Sequence, residues 1–443
     1  MRWRSRRGLR SSRSRRAAAW ETPTPDAPPV QWLAGDTALR AEIQELVARI
    51  ERDDGVEWLR RRDRRRRLAR VALRDGRSLF AKHYLANDRH GLRDALKERL
   101  GLATAQREWR TLVRLRGAKL PVPAPLAHVR IASGEHVVVM EWIDAVPLAA
   151  ALADAARRRA LLAALGALVR QLHEAGWVHR DLHRENVLVA DGRLVLIDLQ
   201  AARRSHGETA RIRDLGRLDH SLRRILSRGD RVRLRAAALG VERPLDAAGR
   251  ARVRDVGRAS LARARTHAAS RARRSLRAGR RAQPLECDGG RGLVSRAFDP
   301  AAVIALFAAP AETVGYEVRR YAASLRDLWR GSAARRAWAV AHALEASDLA
   351  CVTPVAFLEW KRFGVVLRSA LVVADECDAG AAIADSDLRA ELLARLDEAG
   401  FATRWLDRRG IDVCVRAGRI EARVVALEQL RFRARRWTTW RPR

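Results

Sequence analysis

The sequence contains no apolar run long enough to cross a membrane. The longest candidate, residues 161–169, has about half of the ~18 apolar residues that a spanning helix needs. The first sixteen residues are strongly basic and lead into a Pro-rich stretch, without the apolar core of a secretion signal. These absences exclude an integral membrane protein and predict a cytoplasmic location.

Cysteine, lysine and asparagine are all scarce. The four cysteines are far apart and include no C-x-x-C pair, so the sequence supports neither a zinc ribbon nor a redox motif, and we expect them to act as small buried hydrophobes. Only four lysines and two asparagines occur among the 443 residues. A lysine or an asparagine at a position that a mechanism requires is therefore informative.

Acidic side chains are also in deficit. Lys and Arg number 88 against 52 Asp and Glu, which gives a formal net charge of +36. Such a charge predicts attraction to phosphate-rich partners: nucleic acid, anionic lipid headgroups or phosphorylated glycans. It indicates nothing about the fold. The composition, 48% hydrophobic and 32% charged, is that of a folded protein.

Composition and periodicity divide the chain into segments. A hairpin is predicted around Asp75-Gly76, a helix over 104–115, a strand over 137–142 and a long helix over 148–175. The expected organisation is a disordered basic, Pro-rich tail at 1–30, a folded domain at 31–283 with lobes at about 31–144 and 145–283, a linker at 284–297 and a second block at 298–443.

A short loop after the long helix carries the residues that suggest chemistry. The sequence HRDLHREN occupies residues 179–186, and the strand after the next turn ends at Asp198. This order matches the catalytic loop of kinases, H-R-D-L-x-x-x-N, followed by a metal-binding Asp. Phosphoryl transfer needs a carboxylate beside the acceptor hydroxyl, the role predicted for Asp181. It also needs oxygen ligands for magnesium, the role predicted for Asn186 and Asp198.

The same mechanism needs an upstream lysine against the nucleotide phosphates and a helix glutamate that holds it. Lys82 lies in the predicted strand after the Asp-Gly turn, and Glu108 lies in the next helix. An Arg-rich chain can contain H-R-D by chance, and an exposed helix glutamate is commonplace. The scarcity of lysine and asparagine argues against chance, because one of each falls where the mechanism requires it.

These residues lie within a longer resemblance to a known family. The segments that resemble the bacterial lipopolysaccharide core kinases, which phosphorylate Kdo or heptose, are WVHRDLH at 177–183, IDLQ at 197–200, REWRTL at 107–112, PVP at 121–123 and RDL at 213–215. The resemblance covers about residues 55–240. It implies an α+β, two-lobed protein-kinase-like fold, with a small antiparallel-sheet lobe and a helical lobe. It also implies use of ATP and magnesium, and work at the cytoplasmic face of the inner membrane.

The resemblance further implies supporting residues. Asp214 would brace the backbone of the catalytic loop, and His179 would support the same loop. Glu141 and Ile143 close the strand that, in such folds, becomes the hinge whose backbone meets the adenine. The alternatives are a solvated acid at a helix start for Asp214 and an ordinary strand end for the other two residues.

One segment departs from the kinase pattern. Where kinases carry a glycine-rich phosphate loop, this chain has the Arg-rich run 60–67, and Gly55 is the only nearby glycine. Arginine side chains could bind phosphate there, or they could contact an anionic glycolipid. A plain solvated hairpin is the alternative.

The second block resembles a degenerate repeat of the first. AKHY at 81–84 aligns with VRRY at 318–321, and HEAGW at 173–177 aligns with DEAGF at 397–401. The aligned chemistry is lost, because Lys82, Glu108, Asp181, Asn186 and Asp198 correspond to Arg319, Ala337, Trp405, Gly410 and Glu428. Trp cannot accept a proton and Gly offers no side-chain oxygen, so we expect an inactive, truncated pseudokinase-like unit. Chance likeness between two Ala/Arg/Leu-rich segments is the alternative.

The resulting prediction is an ATP- and magnesium-dependent kinase that transfers the γ-phosphoryl group to a hydroxyl of a lipopolysaccharide core sugar or related glycolipid. A protein Ser/Thr kinase is the alternative enzyme. A basic scaffold or pseudokinase that binds anionic membrane or nucleic acid is the non-enzyme alternative. The Arg-rich residues 251–282 suit a peripheral contact with the inner face of the membrane or a solvated helix. No nucleic-acid motif occurs, which disfavours that partner, and nothing indicates an oligomeric state.

Overall fold

The computed structural model describes residues 30–432, apart from 61–65, 74, 86–102, 243, 309–311, 314, 326, 376–384, 405, 407 and 417–418. Four expectations fall on residues outside this description: the disordered tail, most of the Arg-rich run, Cys377, and Trp405 of the predicted repeat. Among the residues that are described, no helix is both long enough and apolar enough to span a bilayer.

Helices and strands are interspersed along the described chain. The helices are α1 (Arg40–Arg52), α2 (Thr104–Gly117), α3 (Leu148–Ala151), α4 (Ala155–Glu174), α5 (Glu208–Leu222), α6 (Arg228–Leu239), α7 (Ala247–Ser275), α8 (Pro300–Ala308), α9 (Asp327–Arg330), α10 (Ala333–Ala346) and α11 (Ser386–Ala399). The first ten strands are β1 (Gln31–Gly35), β2 (Glu57–Arg60), β3 (Arg66–Ala72), β4 (Ser78–Tyr84), β5 (Pro125–Arg130), β6 (His136–Glu141), β7 (Val146–Pro147), β8 (Trp177–Val178), β9 (Val187–Ala190) and β10 (Arg193–Leu196). The remaining strands are β11 (Arg203–Arg204), β12 (Ala282–Cys287), β13 (Gly290–Ser295), β14 (Glu312–Thr313), β15 (Tyr316–Ala322), β16 (Thr353–Arg362), β17 (Val365–Ala374), β18 (Phe401–Ala402), β19 (Ile411–Arg416), β20 (Arg419–Val424) and β21 (Arg431–Phe432).

Two compact units make up the chain. Met1–Ala145 and Leu188–Ala201 form the first unit, and Val146–Val187 with Ala202–Arg443 form the second. The first contains an antiparallel sheet with helices, and the second contains a group of helices followed by another antiparallel sheet. This mixture of helices and antiparallel sheets confirms the predicted α+β class.

The sheet of the first unit has the strand order β1-β5-β6-β4-β3-β2. β3 and β4 form the predicted hairpin, with Ala72 opposite Ser78. β4 also pairs with β6, which places Lys82 opposite Val138 within the sheet. The helix predicted over 104–115 is α2, so this part of the sequence prediction is confirmed.

Packing of α1 against the sheet decides which way the strand residues face. The apolar residues of α1, among them Ile43 and Ile50, recur at helical spacing and are buried. Leu79 and Ala81 of β4 belong to the same core. Because side chains alternate along a strand, Lys82 points to the opposite face.

The helical part of the second unit contains a break that the sequence prediction missed. The helix expected over 148–175 is two helices, α3 and α4. Asp154 accepts hydrogen bonds from the backbone N–H groups of Ala156 and Arg157, and it thereby caps the start of α4. The prediction of one continuous helix is therefore wrong at this point.

The Arg-rich helix α7 is packed on more than one side. It contacts α5, α6 and α10. Val256 is fully buried, and Ala268 lies in the same core as residues of the second sheet. α7 is therefore a structural element with a buried stripe, although many of its arginines remain on the surface.

A buried carboxylate joins α5 to α6. Asp219 accepts two-pronged hydrogen bonds from Arg231, at 3.2 and 2.6 Å, and from Arg235, at 2.8 Å to each oxygen. Burial alone would raise the pKa of Asp219, but the two guanidinium groups outweigh it and lower this pKa. The position of α6 therefore depends on an ionised aspartate.

The second sheet corrects the predicted linker. Its strand order is β12-β13-β16-β17-β15-β14. The sequence predicts a linker at 284–297, but β12 and β13 form a hairpin there, and β13 pairs with β16. The Gly-rich composition belongs to the tight turn, where Asp288 and Gly289 both have positive φ. The linker prediction is wrong because turn residues resemble linker residues.

The two six-stranded sheets share an order of elements. In the first unit, β4 is followed by α2 and then by the paired strands β5 and β6, with β6 beside β4. In the second unit, β15 is followed by the short α9, by α10 and then by β16 and β17, with β17 beside β15. This agreement is what a repeat would produce, and the degenerate second copy stays a prediction.

The cysteines only partly match the expectation. Cys414 is buried and disulfide-bonded, whereas Cys287 and Cys351 carry free thiols and are half-buried. Cys377 lies outside the described residues. Cys414 is thus buried as expected, but its disulfide bond was not predicted.

We expect Asp219→Ala to lower the free energy of unfolding by about 3 kcal/mol, because it leaves two guanidinium groups without their buried counter-charge. Asp154→Ala removes only a helix cap and should cost about 1 kcal/mol, so it serves as the control. Urea unfolding followed by circular dichroism measures both variants. Equal losses would contradict the role assigned to Asp219.

Candidate active site

A buried ion pair lies within the first unit. Lys82 Nζ is 2.5 Å from Glu108 Oε1, and the two side chains are 5% and 1% exposed. Tyr84, two residues along β4 on the same face, donates its hydroxyl to Glu108 Oε2. Glu108 thus accepts from two neighbours on one strand, which holds the ammonium group in a fixed position.

Asp198 completes this cluster. It follows β10 and has a φ of 59°, in the left-handed region that few residues other than glycine, asparagine and aspartate adopt. Its Oδ1 lies 3.2 Å from Lys82 Nζ. Burial alone would raise the pKa of Asp198, but Lys82 and Arg66 outweigh it and hold this pKa far below its ordinary value. An ionised carboxylate beside an ammonium is an arrangement that suits a divalent cation and a phosphate chain.

Arg66 is a site residue that sequence reasoning did not single out. Its guanidinium makes a two-pronged ion pair with Asp198, at 3.0 Å to Oδ1 and 3.2 Å to Oδ2. It lies in the Arg-rich run and begins β3, opposite Tyr84. The run holds seven arginines and one aspartate. The positive charge therefore indicated that this segment could bind an anion, but nothing in the sequence distinguished one arginine from the next.

The catalytic-loop sequence lies in the second unit and is held by a buried carboxylate. Asp214 of α5 accepts hydrogen bonds from the backbone N–H groups of His179 and Arg180, both at 2.7 Å. Arg180 has a φ of 67°, so these bonds fix a strained turn. Asn186 donates from Nδ2 to the backbone oxygen of Asp181 at 2.9 Å. This is the geometry expected of a loop brace at Asp214.

His183 lies beside the carboxylate of Asp181. Its ring nitrogens are 3.6 Å from Asp181 Oδ2 and 2.8 Å from Glu185 Oε2. The carboxylates of Asp181 and Glu185 raise the pKa of His183 to about 9. His183 in turn lowers the pKa of Glu185 to about 2. The side chain of Asp181 is 48% exposed, so a substrate can reach it while the charged imidazole stays adjacent.

Glu141 has a structural contact at the end of β6. Its Oε1 accepts a hydrogen bond from the Ala124 N–H at 2.7 Å, and its own N–H donates to Ala124 O at 3.0 Å. The side chain thereby fastens β6 to the residue before β5. Ile143 follows β6 and is half-buried. The adenine-hinge role of Glu141 and Ile143 stays a prediction.

The predicted site residues form two groups, one in each unit. Lys82, Glu108 and Asp198 meet in the first unit. The loop and its brace in the second unit comprise His179, Asp181, Asn186 and Asp214.

Neither group of predicted site residues forms a complete metal-binding site by itself. Among the described residues, no cluster of three or more His, Cys, Asp or Glu side chains could hold a metal ion. Mg²⁺ typically takes one or two protein oxygens and completes its shell with water and substrate phosphates. Asp198 in the first unit and Asn186 in the second each carry a side-chain oxygen of the kind that magnesium binds, and their role as metal ligands stays a prediction.

A family comparison covers both groups of residues. Residues 52–237 match the Lipopolysaccharide kinase (Kdo/WaaP) family. The resemblance predicted from the sequence motifs is thus confirmed for this part of the chain.

Individual proteins match over shorter stretches. The 3-deoxy-D-manno-octulosonic acid kinase of Xanthomonas axonopodis pv. citri (strain 306) is 37% identical over 131 residues, which cover 28% of this chain and 52% of that protein. The RIO-type serine/threonine-protein kinase Rio1 of Haloferax volcanii is 33% identical over 117 residues, 24% of this chain and 37% of that protein. A solved structure, WaaP in complex with acyl carrier protein, is 23% identical, with a TM-score of 0.38, and the match covers 52% of this chain and 99% of that one. The chain spans about half the length of the curated octulosonic acid kinases that it matches.

Replacing His183 with Gln should change how stability depends on pH. The pKa of about 9 exceeds the ordinary 6.5, so protonated His183 stabilises the fold fully below pH 6.5 and loses that contribution as the pH rises through 9. Between pH 6.5 and pH 9, the urea concentration at the midpoint of unfolding should fall more in the wild type than in His183→Gln. Titration of the imidazole by NMR checks the cause directly, and a pKa near 6.5 would contradict the ion pairs.

Proposed function

We propose that the protein is an ATP-dependent phosphotransferase that moves the γ-phosphoryl group to a hydroxyl of a lipopolysaccharide core sugar or a related glycolipid. The observation that carries this proposal is the buried Lys82–Glu108 pair, with the ionised Asp198 3.2 Å from the same ammonium. A purely structural ion pair needs only one carboxylate. In a kinase site, a second carboxylate, the metal ligand, lies beside the lysine that binds the phosphates. The family match over residues 52–237 supports the same proposal.

Each side chain then has a role at a stated atom. Lys82 Nζ binds the nucleotide phosphates and is held by Glu108. Asp198 and Asn186 offer a carboxylate and an amide oxygen to the metal. When bound, magnesium neutralises the phosphates and aligns the γ-phosphoryl group for in-line attack. Asp181 orients the acceptor hydroxyl and accepts its proton.

The charge on His183 supports the role of Asp181. Because its pKa is raised to about 9, His183 is protonated at neutral pH. The charged imidazole lies 3.6 Å from Asp181 Oδ2, where it pairs with the carboxylate that faces the acceptor hydroxyl in this proposal. The hydrogen bonds from His179 and Arg180 to Asp214 hold the loop backbone, so little reorientation is needed before the reaction.

The names of the relatives favour a sugar acceptor. The family description refers to lipopolysaccharide, and the curated relative from Xanthomonas is named as a kinase of a sugar acid. A protein Ser/Thr kinase is the second candidate, because the match to Rio1 covers part of the same chain. A binding scaffold has less support, since it would not require five catalytic residues of four types in kinase order.

Arg66 has the position to replace the missing glycine-rich loop. Its guanidinium contacts both carboxylate oxygens of Asp198, which are the atoms that a divalent cation would bind. We infer that Arg66 leaves Asp198 when a metal–nucleotide complex binds and then contacts phosphate oxygens. Guanidinium groups bind carboxylate and phosphate with the same two-pronged geometry, so the exchange preserves the hydrogen bonds of Arg66.

The second sheet would be an inactive copy of the first. Arg319 takes the aligned position of Lys82 and lies 3.7 Å from Glu428, the residue aligned with Asp198. Ala337 takes the position of Glu108, so no helix carboxylate holds the cation. The second sheet would therefore keep an ion pair between β15 and the segment that contains Glu428, but it would lack the residues that the reaction uses.

Asp181→Ala should reduce magnesium-dependent ATP consumption by about 10²–10⁴-fold, since a positioned proton acceptor contributes that much to a transfer step. Glu174→Ala changes an exposed acid on α4 and should leave the rate unchanged. A coupled assay for ADP measures all three proteins. Equal rates for the wild type and Asp181→Ala would reject the enzymatic proposal and favour a scaffold.

The acceptor is tested in the same reactions with γ-labelled ATP. Label should enter a lipid extract that contains lipopolysaccharide precursors, and Asp181→Ala should abolish it. If the label enters protein instead, and if Asp181→Ala abolishes this labelling, the result would support the Ser/Thr kinase.

Arg66→Ala should shift two affinities in opposite directions. Nucleotide binding should weaken by about 10- to 100-fold, the effect of losing a charge-assisted hydrogen bond, while Mn²⁺ should bind the nucleotide-free protein more tightly because Asp198 loses a competing cation. Titration with a fluorescent nucleotide measures the nucleotide affinity, and EPR measures the affinity for Mn²⁺. Arg67→Ala, which removes a neighbour that lies over Trp58, is the control. If both affinities fall together, Arg66 has a structural role only.

A further inference from the structure

One end of the second sheet exposes a group of apolar side chains, which we call the hairpin-tip patch. Phe363 is 94% exposed, Trp329 82% and Leu325 81%. Phe363 lies in the turn between β16 and β17, and α9, which carries Trp329, packs against β17. The patch thus comprises exposed apolar side chains from the β16–β17 hairpin and from the segment that contacts β17: Leu325, Leu328, Trp329, Phe363, Val365 and Leu367.

The residue at the apex is poorly suited to its backbone conformation. Phe363 has a φ of 52° and is followed by Gly364 with a φ of 82°. Two-residue hairpin turns of this kind favour Asn-Gly, because Asn adopts the left-handed region at lower cost than a large aromatic residue. The Phe363 ring is almost wholly exposed, with the Arg362 guanidinium 5.4 Å from its centroid, so no apolar packing within the described part of the chain offsets this cost. An exposed, strained aromatic residue at an apex points to a binding role.

The exposed charged side chains within residues 327–330 and 359–368 are basic, whereas the adjacent β12–β13 turn exposes Asp288, which adjoins Trp360 and Arg368. Arg330, Arg362 and Arg368 are all exposed. The acidic side chains of these two segments are buried and paired: Asp327 with Arg336, and Glu359 with Lys361. The surface therefore combines apolar side chains with arginines and presents no exposed carboxylate among its described residues 327–330 and 359–368.

We propose that the hairpin-tip patch inserts into the interface of an anionic phospholipid bilayer. Phe363 and Trp329 would lie at the level of the headgroups, where aromatic rings are favoured, and Leu367 and the other aliphatic side chains would contact acyl chains. The surrounding arginines would pair with lipid phosphates, which agrees with the net charge of +36. This binding goes beyond the proposed phosphotransfer, because it requires neither nucleotide nor turnover.

A bilayer suits this surface better than a nucleic acid does. Bases could stack on Phe363 and Trp329, and phosphates could bind the arginines. Stacking would nevertheless leave the four aliphatic members of the patch in contact with water. A bilayer interface accommodates all three kinds of side chain at once.

The test uses the full-length protein and co-sedimentation with vesicles of phosphatidylcholine, with and without phosphatidylglycerol. The wild type should bind the anionic vesicles and should bind pure phosphatidylcholine weakly. Phe363→Asn combined with Trp329→Ser should weaken binding to anionic vesicles by about tenfold or more, since the inserted apolar area is lost. Ile420→Ser removes an aliphatic side chain that is 56% exposed in a different hairpin, and it should bind as the wild type does.

Stability separates lost binding from lost folding. Asn suits the left-handed φ at position 363, so Phe363→Asn alone should unfold at the same or a higher urea concentration while it binds vesicles less tightly. Unchanged vesicle binding in the double variant would overturn the proposal. The proposal would also be overturned if the protein does not bind vesicles and the patch instead mediates binding to DNA or dimerisation, which light scattering detects.

Discussion

The structure of the first unit depends on how charges are balanced around one buried ammonium. Taking Lys82 out of water is costly unless it is paired, and Glu108 and Asp198 both supply negative charge within 3.2 Å. Two carboxylates exceed one ammonium, and Arg66 restores neutrality through Asp198. The cluster links β3, β4, α2 and the segment after β10, which are far apart in the sequence. A metal that binds Asp198 would take over the charge that Arg66 now provides.

The parts of the site that could be predicted are those in which residue type, order and spacing act together. Lys82, Asp181 and Asn186 were identifiable because lysine and asparagine are rare here and the loop has a fixed pattern. Arg66 was not identifiable, because its neighbours are chemically identical and only the fold brings it to Asp198. His183 was visible as part of the loop motif, but its raised pKa depends on two carboxylates whose geometry the sequence does not contain.

The errors in the fold prediction have local causes. The segment 148–175 is rich in Ala and Leu on both sides of Asp154, so hydrophobic periodicity did not reveal that this residue caps a new helix. The segment 284–297 contains Pro and Gly, which occur both in linkers and in tight hairpin turns. The pairing of β13 with β16 distinguishes the two cases, and it joins residues about sixty positions apart. Long-range pairing of this kind is the information that a local pattern lacks.

The hairpin of β12 and β13 affects how the chain could be divided. Without it, β16 would become an unprotected sheet edge with free backbone donors and acceptors, which favours aggregation. The hairpin follows directly from α7, and the Trp338 indole of α10 donates to Ser275 O at the end of that helix. A fragment beginning at residue 298 would therefore be a poor candidate for separate expression. The C-terminal sheet has become inseparable from the helices before it, so its retention can be explained by architecture alone, even if it performs no chemistry.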